Sequence, residues 1–341
     1  MYIIGKINNR IIMSKQQSLI IKGIAILMML LVHLYRIHED FTPWLYIGEK
    51  PLMQYLYNLA DPVAIFILLS GYGLSYTAGR SYKSKFLKLL RLYTVYWVVL
   101  LIFPLCIGSV NRPEKYPGSM WEFISNILGY DCTYNQHCWF LLPYSILFLC
   151  SDKIKQFIDK VGYWCAIATT IILFFISSYI ISRNNTGFFA FRGVHIVILC
   201  FQLLFPFVAG MIMESLNRQG KLLCKKIAPP PIALSLLMVV MVLRSPFHTH
   251  ALTPFFSIVF VYLLYHMKIG GKVERILTEL GKYSMPMWFI HGYFTVYLFH
   301  DYLCMLRYPL FMYMVLVLVS YGISVPIMYA SGIFQKRVLK I

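Results

Sequence analysis

Continuous runs of Leu, Ile, Val, Phe and Met, each about long enough to cross a bilayer, constrain this chain more than any motif in it. In hydrocarbon every backbone N–H and C=O must be satisfied within the protein, so only helices and closed barrels can span. A barrel would alternate apolar and polar positions along each strand, and these runs do not alternate. The spacing therefore predicts helices at roughly 19–37, 56–78, 89–109, 137–151, 161–182, 194–214, 231–245, 251–267, 283–303 and 309–331. The expected fold is all-α, a polytopic integral membrane protein with about ten transmembrane helices.

Composition agrees: 59% of residues are hydrophobic, 13% are charged and the mean hydropathy is +0.68, more than a soluble globule of this size needs to fill its core. The formal charge of +18 would suggest nucleic acid in a soluble protein. Here the basic residues sort by membrane side. With the N-terminus inside, most of the 31 lysines and arginines fall on cytoplasmic stretches, which predicts cytoplasmic N- and C-termini and no nucleic-acid partner. The segment 1–18, with Lys6, Arg10 and Lys15, is expected to be a short basic cytoplasmic lead-in to a retained span. The longest polar connection, from about Val110 to His137, is too small for a soluble domain, so residues 1–341 are expected to form one transmembrane domain.

Eight cysteines show no paired Cys-x-x-Cys spacing, and no metal site is expected. Cys132 and Cys138 lie near an outer loop where an oxidising compartment could join them.

Ionisable groups within spans are costly and are the first candidates for function. Lys22 and His33 are eleven residues apart on the first span, which returns within roughly 20° of one helix face about 16 Å further along the axis. A neutral imidazole there could be a general base for a hydroxyl. The alternative is a lysine snorkelling to headgroups and a histidine bonded to a neighbouring helix. Ser70 and Tyr72, in Phe66 through Leu74 of span two, offer hydroxyls within a small-residue packing segment. The cluster Arg80, Lys83, Lys85, Lys88 and Arg91 could pair with the phosphates of a nucleotide-bearing donor or with anionic lipid. His137, Trp139 and Phe140 introduce span four, where aromatics are commonly interfacial anchors. His291 in span nine is a second intramembrane imidazole, and Asp61 could orient a histidine or cap its helix.

Four stretches taken together resemble the acyltransferase-3 family of integral membrane acyltransferases. They are Lys22-Gly23-Ile24-Ala25 through His33, which fits an Arg/Lys-x10-His motif; Phe66 through Leu74, similar to Phe-x-x-x-Ser-Gly-Tyr; Trp139-Phe140-Leu141; and Leu280 through His291. The resemblance implies transfer of an acyl group, usually acetyl, from cytoplasmic acyl-coenzyme A to a hydroxyl of a glycan or similar acceptor. It makes His33 the essential histidine and Lys22 its basic partner. Lys88 and Arg91 match a basic element proposed to meet the donor, with a lysine here at one end. Ser70 and Tyr72 are expected on the donor side, and Trp139, His291 and Asp61 on the acceptor side. The expected setting is a bacterial inner membrane, with acetyl-coenzyme A as cosubstrate and membrane lipid and a glycan or lipid-linked sugar as partners.

A transporter or flippase of a lipid-linked sugar would also need intramembrane His, Lys and aromatic residues, but would more often show broken helices or repeats. A non-catalytic ligand-binding relative is the third reading, and the intact His33 argues against it.

Overall fold

In a computed structural model of the chain the described residues are 13–37, 45–52, 62–183, 191–221, 235–236, 239, 252–267 and 269–340. The main helices are α1 (Lys15–Ile37), α2 (Pro62–Tyr76), α3 (Tyr82–Leu100), α4 (Met120–Leu128), α5 (Leu141–Leu149), α6 (Ser151–Val161), α7 (Tyr163–Ser182), α8 (Arg192–Arg218), α9 (Thr253–His266), α10 (Gly271–Gly292) and α11 (Pro309–Phe334). A two-residue antiparallel ribbon pairs Tyr46–Ile47 with Lys50–Pro51.

Among the described residues, five helical stretches are long and apolar enough to cross a membrane: Lys15–Leu34, Tyr82–Asn111, Tyr163–Ser182, Arg192–Arg218 and Pro309–Leu339. Pro62–Tyr76 and Thr253–His266 are apolar but shorter. Several boundaries differ from the sequence expectation; α3, for one, begins at Tyr82 and not near 89. The fourth span is a helix of nine residues, α5, because the residues before it form a short 3-10 turn, Gln136–Cys138. The ninth begins at Gly271, since the charged residues Lys272, Glu274, Arg275, Glu279 and Lys282 are good helix formers that extend the helix out of its apolar part. The expected span 231–245 lies almost wholly outside the described residues.

Two parallel helix pairs organise the core, and each is closed by a reciprocal pair of glycines. In α1 and α10, a Cβ at Gly23 would stand 2.1 Å from Leu277 O and one at Gly281 would stand 2.0 Å from Leu19 O. No side chain fits, and the backbones meet directly. Gln16 with Glu274 and His33 with His291 are hydrogen-bonded pairs at the same sequence separation, 258 residues. Gly23 and Gly281 share that separation, so the helices run side by side in one register from Gln16 to His33. In α2 and α8, Gly71 would meet Phe207 O at 2.0 Å and Gly210 would meet Leu68 O at 2.0 Å.

Two of the buried charged residues are paired, as a low-dielectric setting favours. Glu214, 1% exposed, accepts from Nε and Nη2 of Arg218 at 2.9 and 2.6 Å and from Ser75 Oγ at 2.7 Å. Lys85 of the basic cluster is buried and committed to Asp152 at 2.6 Å and Ser151 Oγ at 2.8 Å. Cys132 and Cys138 are both buried free thiols. Burial pushes the Cys132 thiol up to about 12, so near neutral pH it packs as a small apolar group.

Candidate active site

Three imidazoles from three parts of the chain meet at one point: His33 from α1, His291 from α10 and His137 from the turn before α5. His33 Nδ1 and His291 Nε2 are 2.6 Å apart. Their ring centroids are 4.8 Å apart and their planes differ by only 5°. That centroid spacing is what two coplanar rings joined end to end through such a hydrogen bond would have. His137 instead lies across the face of His33, with centroids 4.2 Å apart and planes 30° apart. His291 is fully buried, whereas His33 and His137 are partly exposed.

The register of α1 against α10 accounts for the first contact, and a clasp on α10 accounts for the second. Asn135 Nδ2 donates to Phe289 O at 2.7 Å, Gln136 N donates to the Tyr297 hydroxyl at 2.9 Å, and Trp288 Nε1 donates to His137 O at 3.1 Å. The segment before the clasp is held by α4, whose Asn126 bonds Thr133 Oγ1 at 2.8 Å and accepts from Tyr134 N at 3.1 Å. Gly292 lies beneath the clasp: a Cβ there would stand 2.6 Å from both Asn135 Oδ1 and His137 Cδ2. Gly292→Ala should therefore lift His137 off His33. The expected result is a roughly 10- to 100-fold loss of activity, as for other sub-ångström to ångström misplacements, with the protein still monodisperse in detergent. An unchanged turnover rate would show that His137 is not needed in place.

The ligand atoms of the three histidines lie within 4.8 Å of one another, near enough to ask whether they would hold a metal ion. Tetrahedral Zn with bonds of about 2.0–2.1 Å needs ligand nitrogens ~3.3 Å apart. The 2.6 Å approach of His33 to His291 is a hydrogen-bond distance instead. These two rings are arranged as partners of each other, not as co-ligands.

Trp288, hydrogen-bonded to both His137 and His291, also lines a cavity of about 230 Å³. Lys22, Ser70, Phe140, Tyr144, Ser284 and Trp288 are among the residues that line it. Ser70 donates to Phe66 O at 2.9 Å and is also hydrogen-bonded to Tyr144. Trp288 is the wall shared with the histidines. Its ring stacks on Phe140 at 3.7 Å and tilts against Phe66 at 5.0 Å, while its carbonyl lies 2.6 Å from His291 Nδ1.

Of the residues singled out in the sequence, the structure thus brings together His33 and His291, and gathers Lys22 and Ser70 in the adjoining cavity. It places Tyr72 elsewhere: that hydroxyl accepts from Asn217 Nδ2 at 2.7 Å and from Met13 N at 3.1 Å. Neighbouring residues on a helix face different ways, so Ser70 faces the cavity while Gly71 and Tyr72 face α8, at Phe207 and Asn217. Lys88 and Arg91 are exposed on α3. Trp139 packs at the edge of the core beside Phe140, and the indole at the site is Trp288. Asp61 lies outside the described residues. His137, Trp288 and Tyr144 were not anticipated as site residues. For His137 the available signal was its place immediately before the Trp139-Phe140-Leu141 stretch.

A family model described as an acyltransferase domain, that of the acyltransferase-3 family, matches residues 20–331, nearly the whole chain. No curated protein and no solved structure matches it. The matched region runs from the first turns of α1 to the last turns of α11 and holds all three histidines and the cavity. The chain, a multi-pass membrane protein by its apolar helices, belongs to the acyltransferase-3 family.

Proposed function

We propose that the protein moves an acetyl group from cytoplasmic acetyl-coenzyme A to a hydroxyl of an extracytoplasmic or lipid-linked glycan, in a bacterial inner membrane with both chain ends in the cytoplasm. The observation that carries this reading is the shared wall at Trp288, with imidazoles on one side and a cavity containing Lys22 on the other. Eleven residues of α1 separate Lys22 from His33 by about 16 Å along the axis, so the two act on different parts of one long molecule. Taking ~30 Å³ per water-sized group, the cavity has room for roughly eight such groups. That suits an acetyl thioester and the adjoining stretch of a pantetheine arm.

The nucleotide end of the donor would remain at the inner surface, where the exposed Lys88 and Arg91 offer charge to its phosphates. In the reaction the acceptor hydroxyl attacks the thioester carbon while His33 takes its proton. The C–S bond then breaks, and the thiolate leaves with the proton that His33 returns.

Binding of acetyl-coenzyme A to the purified protein tests the donor side. Lys22→Met keeps the length and apolar body of the side chain and removes the charge. It is expected to weaken donor affinity by ~10-fold or more, the size of one charge-assisted contact. Equal affinity in the two proteins would remove Lys22 from the donor path. No binding to the wild type would favour a transporter of a lipid-linked sugar.

A further inference from the structure

His291 Nδ1 lies 2.6 Å from Trp288 O. A carbonyl oxygen can only accept, so this nitrogen carries the hydrogen and donates it. In the neutral ring the other nitrogen, Nε2, then holds a lone pair. Its partner at 2.6 Å is His33 Nδ1, which must be the donor of that bond. The lone pair of neutral His33 is thereby confined to Nε2.

We propose that His291 is a positioning residue that fixes the tautomer of His33, so that Nε2 of His33 is the one basic atom presented to the acceptor hydroxyl. This rests on the reading of His33 as general base and deepens it. A neutral imidazole without such a partner can carry its hydrogen on either nitrogen, and a ring with hydrogen on Nε2 cannot take a proton there. The fit of the two rings supports the assignment. They are coplanar within 5°, so the His33 N–H points along the His291 lone pair, and the face of His137 at 4.2 Å opposes rotation of His33 out of that plane.

The arrangement also serves the second half of the reaction. When His33 Nε2 takes the acceptor's proton, the new positive charge is shared toward His291, because the Nδ1 hydrogen already points at His291 Nε2. The same Nε2 hydrogen then passes to the departing thiolate sulfur. Both rings return to their starting state with no other reactant consumed. The fixed orientation is the same in kind as that given to a catalytic histidine by a buried carboxylate. Here a helix carbonyl and a second imidazole supply it.

Two substitutions separate positioning from packing. His291→Gln retains a side-chain carbonyl able to accept from His33 Nδ1, and His291→Met fills a similar volume without a strong acceptor. The expected outcome is a kcat within about 10-fold of wild type for Gln and a loss of ~100-fold or more for Met, with KM for both substrates unchanged. Alongside the kinetics, ¹⁵N-histidine NMR of the wild-type protein, with the His33 signal assigned by its loss in His33→Gln, reports the tautomer without any assay of transfer. Hydrogen on Nδ1 of His33 supports the proposal. Hydrogen on Nε2 overturns it, as do equal losses for Gln and Met. If wild type transfers no acyl group while the NMR shows hydrogen on Nδ1, the acyltransferase reading fails and the positioning assignment stands. If His291→Met does not fold, the wild-type spectrum and the His291→Gln kinetics still decide.

Discussion

His33→Ala should lower acyl transfer by 10²–10⁴-fold, the range contributed by a positioned general base, in a protein that elutes from size exclusion as wild type does. The expected loss is in kcat, with donor binding retained, because Lys22 stands about 16 Å away along α1 and does not depend on the imidazole. The partial exposure of His33 makes the truncation tolerable for folding. By contrast, loss of the fully buried His291 removes a ring from a packed site. Turnover by His33→Ala near that of wild type would remove this residue from the chemistry, and with it the reason for assigning a reaction to the three imidazoles.

Gly281→Ala should have the largest effect on the folded state. The new methyl carbon would lie 2.0 Å from Leu19 O and 2.7 Å from Leu19 C. These are backbone atoms of a packed helix, so neither side can yield by turning a side chain. Overpacking of a core typically costs about 1–3 kcal/mol, and a backbone obstruction belongs at or above the top of that range. Because α1 and α10 share one register from Gln16 to His33, forcing them apart at Gly281 also separates His33 from His291. The expected result is a clear drop in Tm in detergent together with loss of transfer. Gly322→Ala is the control. It sits in α11 with nothing within 4 Å of its added Cβ, and replacing a helical glycine there should be neutral or stabilising by about 0.4–1 kcal/mol. Equal Tm shifts for the two variants would contradict the close-contact account of the α1 and α10 pair.

The sequence made the solvent legible first. Runs such as Ile24 through Val32 require a bilayer, and the described helices follow those runs wherever length and apolarity suffice. Where a run is bordered by good helix formers or by turn residues, the boundary moved. The starts of α3 and α10 and the short α5 are examples, because helix propensity and local turn chemistry, not hydropathy, decide where a helix starts.

The site was legible in part. Lys22, Ser70, His33 and His291 were visible as polar groups where polar groups are costly. Their partners were less so. His137 comes from a short turn with no periodicity, and its position is set by Asn135, Gln136 and Trp288 across more than 150 residues of sequence. The glycine spacing carries a further signal. Gly23 precedes His33 by the same interval that separates Gly281 from His291. Two parallel helices that touch at their glycines must then bring their histidines level. The opposite lesson comes from Tyr72, which shares a motif with Ser70 yet faces Asn217, since positions two apart on a helix point about 200° apart.

The central claim is that one membrane-embedded site transfers an acyl group through His33. The most direct test uses proteoliposomes supplied with radiolabelled acetyl-coenzyme A and a glycan or lipid-linked sugar extract, comparing wild type with His33→Ala. The account predicts that label reaches the acceptor with wild type and falls to background with the variant. Equal labelling by both proteins, or none by a wild type that also fails to bind acetyl-coenzyme A, would contradict it.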